Sequence, residues 1–448
     1  MSLTGTLPKY GHHIDGAVVP PALGDYFPTE NPYSGEPWAL IARGGKADVD
    51  AAVAAAARAF SGEWSALTPS RRGKLLRTFA DALIDHAQRI AEIERRDNGK
   101  LAAEVVEQVR YLGEYFHYFA GLADKIESRV IPTDKSGVLF CYTRHEPKGV
   151  VAIITPWNSP LTLTSWKLAP ALAAGCTAVI KPSEYTSAST LEMAGLFGEA
   201  GFPKGVVIVV TGFGDEVGAP LVEHPEVAHI GFTGSELAGQ KIYQAAARGL
   251  KTVTLELGGK SPTIVFADAD PQLAIAGILY GMFSSTGQSC IAGSRLFVQR
   301  AIWDSFVPAL VKAAQALVVG DPFDPATQVA PLVHFDHRAA VADHVERALA
   351  EGATLLCGGR APTGGVYDAG AYYLPTILSG VTNDARICQE EVFGPVLVVL
   401  PFDDEADVIA QANDSAYGLA CGVWTRDFPR AWRVGRAITT GTVWINTY

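Results

Sequence analysis

The sequence predicts an α/β fold built as two successive α/β units. Three observations predict it. Short, largely apolar runs recur along the chain from residue 150, stretches of helical spacing separate them, and Gly or polar residues close each run. Continuous apolar strands alternating with helices read as a parallel sheet covered on both faces. In chain order, an Ala-rich stretch at 48–60 and the stretch 70–93 read as helices. The stretch 129–146 reads as β, with Ser136-Gly137 between two extended runs, so a hairpin is expected. VVAIIT (150–155), TAVIK (177–181), VVIVV (206–210), VAHIGF (227–232) and TVTLEL (252–257) are five buried strands. Helical stretches at 160–174, 187–199, 215–223 and 235–247 separate them. A second alternation opens with PTIVF (262–266), a helix near 271–285, RLFVQ (295–299) and a helix near 302–318. Further strands and helices follow to PVLVVLPF (395–402), and the boundary between the units is placed near Gly258-Gly259.

The chain has 448 residues, 48% hydrophobic and 19% charged, with net charge −11. A chain this long buries a large core and needs no disulfide or metal staple. The acidic balance argues against nucleic acid and anionic membrane as main partners. The six cysteines, at 141, 176, 290, 357, 388 and 421, are scattered with no CxxC pair. Neither a metal site nor a disulfide framework is expected, and reduced thiols point to a cytoplasmic protein. The N-terminal stretch has no apolar core of a leader, and no apolar run approaches the ~20 residues needed to span a bilayer.

In one parallel sheet, the loops that follow the strands converge on the carboxyl edge, where such sheets bind ligands. Here they are Thr155-Pro-Trp-Asn158, Lys181-Pro-Ser-Glu184, Thr211-Gly-Phe-Gly214, Thr233-Gly-Ser235 and Glu256-Leu-Gly-Gly-Lys260. Lys181 and Glu184 suit ribose hydroxyls. Gly234-Ser235 opens a helix, whose free N–H groups can meet a pyrophosphate. The run from Gly212 through Gly214 to Gly218 is spaced GxGxxxG rather than GxGxxG. By itself it is as readily a tight turn as a phosphate loop.

A lone cysteine is usually inert core filling, and five of the six are read so. Cys290 differs, because it lies in the Gly/Ser/Gln-rich turn 286–295 between a helix and a strand. A thiolate there can act as a nucleophile, given a general base. Glu256, ending an otherwise apolar strand, is the candidate base, because a carboxylate buried there is costly without a task or partner. The Asn158 amide can donate to a developing oxyanion.

TPWN (155–158), KPSE (181–184), FTGS (232–235), ELGGKSP (256–262), GQSCIAGSR (287–295) and EEVFGPV (390–396) stand in the order and spacing of the aldehyde dehydrogenase superfamily, which the chain resembles over essentially its whole length. The resemblance implies a Rossmann-like cofactor domain (1–127 and 147–257), an oligomerisation hairpin (128–146) and a catalytic domain (258–440). It makes 441–448 the start of a C-terminal oligomerisation segment cut short, since related sequences continue into part of the substrate tunnel. It implies NAD, with NADP as the alternative cofactor, and a homodimer or homotetramer. Cys290 would be the nucleophile, Glu256 the general base, and the Asn158 side chain with the Cys290 N–H the oxyanion hole. Lys181 and Glu184 would hold the adenosine ribose, Ser183 would join them in binding the cofactor, Gly214 and Gly218 would flank adenine, and Gly234 and Ser235 would approach the pyrophosphate. Glu391 and Phe393 would take the nicotinamide ribose and ring, while Ile154, Thr155, Pro156, Trp157 and Leu257 would line the cleft.

The implied reaction is attack of the Cys290 thiolate on an aldehyde, hydride loss, and hydrolysis of the resulting thioester by water activated at Glu256. Leu161, Leu163, Trp166, Ser289 and Ile291 are expected to line the substrate tunnel. They are mostly apolar, which favours aliphatic or aromatic aldehydes. The competing readings are a CoA-acylating or semialdehyde-specific relative, a cysteine hydrolase, and an inactive member with a binding or structural role.

Overall fold

The computed structural model describes residues 7–135 and 137–448, so the sequence readings for residues 1–6 and Ser136 lie outside the described residues. The chain forms two compact units. The first takes the chain to Glu30, Pro37–Asp97 and Val105–Glu256; the second takes Asn31–Glu36, Asn98–Glu104 and Leu257–Tyr448.

The first unit is organised around a sheet with five parallel strands. Their spatial order is Thr252–Glu256, Val227–Thr233, Val150–Ile154, Thr177–Lys181 and Val207–Val209. In chain order the sequence is 5-4-1-2-3, so the order reverses between Val150–Ile154 and Val227–Thr233. The loops leaving the carboxyl ends of those two strands, 155–158 and 233–235, flank the topological switch point, where open sheets form a ligand crevice. Every residue of Val150–Ile154 and Thr177–Lys181 is buried, as continuous apolar runs require. The helix Pro160–Ala174 has Pro160 at its first turn and ends at Gly175, whose φ of 97° gives the left-handed cap glycine favours.

Several elements differ from the sequence reading. The strand Thr252–Glu256 is half exposed, with alternating burial, because it lies at the sheet edge. A hairpin of His12–Ile14 and Ala17–Val19, too short to carry a periodicity, extends the other edge antiparallel. The 70–93 stretch is two helices, Pro69–Asp85 and Ala87–Asn98, parted at His86. A 21-residue helix, Ala102–Leu122, has no counterpart in the sequence reading. Its buried stripe is Val105, Val109, Leu112, Phe116 and Ala120, but aromatic residues on its other faces blur the pattern. The 129–146 hairpin is present with short strands, Val130–Ile131 against Cys141–Tyr142.

The second unit holds a seven-stranded sheet. Its order is Thr354–Cys357, Thr376–Ser379, Val396–Phe402, Arg295–Gln299, Pro262–Val265, Ala420–Trp424 and Thr442–Ile445, parallel throughout except for the first strand. Alternate residues feed two cores: Ile264 and Phe297 pack on one face, Val265, Leu296 and Val298 on the other. Among the described residues no helix is long and apolar enough to cross a membrane, and no cluster of His, Cys, Asp and Glu could hold a metal ion.

Candidate active site

In the first unit the five strand-end loops leave one edge of the sheet, because the five strands are parallel. Lys181 ends its strand almost fully buried. Its ammonium donates to the Pro182 carbonyl at 2.8 Å and stands 3.7 Å from the Glu184 carboxylate. Burial lowers the Lys181 pKa, while Glu184 opposes the shift. Its methylenes run past Gly218, where a Cβ would lie 3.5 Å from Lys181 Cδ. Lys181, Glu184 and Gly218 are thus brought together. The ambiguous glycine run supplies one wall: Gly214–Gly218 forms a single π-helical turn ahead of Ala219–Glu223. Ser183 turns the chain, its carbonyl accepting from the Ser187 hydroxyl at 2.8 Å.

At the switch point Thr155 is tied by its N–H to the Lys181 carbonyl at 3.1 Å. Ile154, Thr155, Pro156 and Trp157 lead to Asn158, which is buried just ahead of the Pro160–Ala174 helix. Across the crevice Gly234 donates to the Glu256 carbonyl at 3.1 Å, and the Ser235 hydroxyl caps the helix Glu236–Arg248. Lys167 reaches from the 160–174 helix to the Thr233 hydroxyl. The sequence offers no signal for it beyond a charge on an apolar helix.

Two expectations from the sequence need correction. The Glu256 carboxylate is exposed, because its strand is at an edge, so burial does not single it out. Its position as the final residue of the strand does. Leu161 is 1% exposed and belongs to the hydrophobic core of the first unit, so it lines no tunnel; Leu163 is also buried. Trp166, by contrast, is 46% exposed.

In the second unit the pieces lie at the opposite end of the strands. Leu257–Ser261, Ser289–Ser294 and Glu390–Pro395 each precede a parallel strand, so they share the amino edge of the second sheet. The helix Pro271–Phe283 ends in a turn with three successive left-handed residues, Ser285 (φ 49°), Thr286 (φ 58°) and Gly287 (φ 70°). Two of these are not glycine, each costing on the order of 1–3 kcal/mol. The turn is clamped from several sides. Glu104 accepts from the Ser285 N–H and hydroxyl at 3.3 Å each. Thr286 donates to the Ala330 carbonyl at 2.9 Å, and the Gln288 amide oxygen accepts the Val333 N–H at 2.9 Å. The nucleophile candidate Cys290 follows, half-buried, between Ser289 and Ile291; the Ile291 carbonyl accepts the Tyr448 hydroxyl at 2.6 Å. The Tyr448 ring lies against Gly281 and Gly422, where a Cβ would come within 2.6 and 2.7 Å of it.

The glycines of ELGG are required by close approach. A Cβ on Gly259 would collide with the Cys290 carbonyl, and one on Gly258 would collide with a Glu391 carboxylate oxygen. The Gly259 N–H donates to Glu391 at 2.8 Å. Leu257, Glu391, Phe393, Ser289, Cys290 and Ile291 therefore belong to one unit, and Glu391 and Cys290 both abut the Gly258-Gly259 step.

The other thiols lack this setting. Burial pushes Cys388 up to about 11 and Cys421 to about 12, raises Cys357, and leaves all three inert. Cys176 is buried, but Cys141 is exposed on the hairpin, contrary to its reading as core filling.

A parallel sheet open at a switch point, in one chain with a second α/β unit that carries a strained, clamped cysteine loop, is the arrangement expected of a nucleotide-dependent enzyme with a reactive thiol. Comparison with known proteins then fixes the family. The sequence model of the aldehyde dehydrogenase family matches residues 19–448. A (Z)-2-((N-methylformamido)methylene)-5-hydroxybutyrolactone dehydrogenase of Acinetobacter baylyi is 48% identical over 94% of this chain and 86% of its own length. A betaine aldehyde dehydrogenase of Brucella anthropi is 43% identical over 98% and 90%. Among solved structures, an aldehyde dehydrogenase from Bacillus cereus in complex with NAD+ superposes with a TM-score of 0.95 at 42% identity, covering 98% of this chain and 89% of that one. A betaine aldehyde dehydrogenase from Staphylococcus aureus, also with NAD+, gives 0.96 at 41% identity, covering 98% and 87%. This chain belongs to the aldehyde dehydrogenase family and is an aldehyde-oxidising oxidoreductase.

Proposed function

We propose that the enzyme oxidises an aldehyde to the free carboxylic acid with NAD, through a thioester on Cys290. The observation that carries the reading is the clamped loop that holds Cys290 beside Gly259 and Glu391 within a chain matching the family over 19–448. NAD, when bound, accepts the hydride. The residues of this chain suit it. Lys181, Ser183 and Glu184 face the ribose of the adenosine, and Gly214 and Gly218 leave room for the base. Gly234 and Ser235 meet the pyrophosphate, and Glu391 and Phe393 hold the nicotinamide end.

In the reaction the Cys290 thiolate bonds to the carbonyl carbon. The Asn158 amide and the Cys290 N–H stabilise the oxyanion, each such donor contributing about 10²–10³-fold in rate. After hydride leaves the former aldehyde carbon, Glu256 takes a proton from water, which attacks the thioester. The acid departs and the Cys290 thiolate is restored. A general base contributes about 10²–10⁴-fold. An exposed Glu256 suits this role, since it can exchange its proton with solvent.

Glu184 favours NAD over NADP, accepting from a ribose 2′-hydroxyl and repelling a 2′-phosphate. Trp166, Ser289 and Ile291 face the substrate, and their mainly apolar character suits aliphatic or aromatic aldehydes. The cytoplasm fits six cysteines with no disulfide between them. A homodimer or homotetramer fits the hairpin, where Val130, Val138, Leu139, Phe140 and Tyr142 are exposed. An aldehyde panel followed by NADH absorbance, with NAD and NADP in parallel and the product analysed as free acid or acyl-CoA, tests the whole reading. Acid formed with NAD supports it. Turnover without a nicotinamide cofactor, or an acyl-CoA product alone, contradicts it.

A further inference from the structure

We infer that His337 is a positioning residue for the cofactor end of the site: it holds the Phe393 carbonyl, and with it the loop that carries Glu391. The inference rests on the reading of that loop as the nicotinamide-ribose contact. His337 lies in the first turn of the helix Phe335–Ala350, and its Nε2 is 2.7 Å from the Phe393 carbonyl oxygen. A carbonyl oxygen only accepts, so Nε2 carries the proton. Burial lowers the His337 pKa to about 4, so the ring is neutral and this single tautomer is the one the contact selects. The ring meets that of Phe393 edge-on at 6.3 Å between centroids.

The contact matters because of what it restrains. Phe393 has φ 58°, in the left-handed region that a bulky side chain disfavours, so its backbone needs external support. The same helix gives a second support. Val341 packs against Gly394 so closely that a Cβ there would lie 2.6 Å from Val341 Cγ2. The Gly394 carbonyl in turn lies against Gly287, where an added Cβ would collide with it. The segment leading into the helix supplies the Ala330 carbonyl and the Val333 N–H that fix Thr286 and Gln288. One strut, residues 330–341, therefore touches both the loop of Glu391 and the turn that presents Cys290. His337 is its hydrogen bond to the former.

The test compares His337→Gln with His337→Leu, side chains of similar volume of which only Gln can donate to the carbonyl. Each is measured for the KM of NAD, for kcat, and for the primary deuterium isotope effect with a 1-deuterated aldehyde. His337→Leu is expected to raise the KM of NAD and slow hydride transfer by about ten- to a hundredfold, the scale of a sub-ångström misplacement. A larger isotope effect should expose the slowed step, and His337→Gln should recover most of both. A role in packing alone would lower the melting temperature of both variants without moving the isotope effect. The proposal is overturned if His337→Leu keeps the parent KM and isotope effect, or if His337→Gln is as impaired as His337→Leu. Glu391→Gln separates the two layers. If it raises the KM of NAD while His337→Leu is silent, the loop reading stands and the role of His337 falls. If both are silent, the loop reading falls with it.

Discussion

The two sheets of this enzyme gather their candidate residues at opposite edges. The first gathers its candidate residues at the carboxyl ends of parallel strands, in loops whose polar atoms are met by ordinary neighbours. Lys181 rests on the Pro182 carbonyl and Glu184, and Ser235 caps a helix. The second gathers them at the amino ends, in loops packed carbonyl against glycine and containing Ser285, Thr286 and Phe393 at positive φ. The difference follows from the task. A dinucleotide is held by many separate contacts, each replaceable at modest loss. A nucleophile must stand in one place, and a strained turn over-determined by Glu104, Ala330, Val333 and Gly394 achieves that.

Changes in the turn that presents Cys290 should act on kcat, and changes in the dinucleotide loops after the strands Thr177–Lys181 and Val207–Val209 on the KM of NAD. The largest effect belongs to Cys290→Ala, which should reduce NADH formation by about 10⁴-fold or more, the scale of nucleophile loss. NADH formation that survives in this variant would remove Cys290 from the mechanism. Next is Gly287→Ala, whose new Cβ meets the Gly394 carbonyl at a φ of 70°. It should lower kcat by about a hundredfold, with NAD binding less affected. A kcat within about twofold of the parent would show that the turn is not rigid.

A pH experiment probes the same region. His337 is protonated near 6.5 when unfolded but only near 4 when folded. Between those values the unfolded chain binds the extra proton, so stability is present above pH 6.5 and is lost as pH falls toward 4. At about 1.36 kcal/mol per pKa unit the loss is roughly 3 kcal/mol. Denaturant midpoints across that window should flatten in His337→Gln by about this amount, and a slope unchanged by the substitution would contradict it.

In the first unit, Glu184→Gln should raise the KM of NAD by about tenfold, the loss of one charge-assisted hydrogen bond, with kcat nearly constant. It should also narrow the preference for NAD over NADP. A fall in kcat alone would undo the division between the dinucleotide loops and the cysteine turn. The smallest effect is expected from Tyr448→Phe, which removes the hydroxyl on the Ile291 carbonyl but keeps the ring against Gly281 and Gly422. One hydrogen bond is worth about 1 kcal/mol, so a few-fold loss in kcat is the prediction.

The first sheet is legible in the sequence because each strand is a closed apolar run ending in polar residues, and a parallel sheet brings such ends together. Lys181 with Glu184 can be read from spacing, and Cys290 from its Gly-rich turn. The rest is hidden for physical reasons. Glu256 looks costly if its strand is central, whereas the strand lies at an edge. Leu161 looks like a tunnel residue because a helix shows its apolar residues without showing which face is core. His337, Tyr448 and Glu104 touch Phe393, Ile291 and Ser285 from 47, 158 and 186 positions away from Cys290, and no local pattern announces such contacts. The amino-edge arrangement of the second unit is equally hidden, because strand order suggests only the carboxyl-edge rule.

The central claim, a covalent acyl intermediate on Cys290 that needs Glu256 for release, is tested most directly in one rapid-mixing experiment on Glu256→Gln. Enzyme, NAD and an aldehyde oxidised by the parent are mixed, NADH is followed, and the quenched protein is digested for mass spectrometry. The prediction is a burst of one NADH per active site, little further turnover, and the acyl mass on the peptide containing Cys290. Steady turnover without a burst, or an acyl mass on any other peptide, would contradict it.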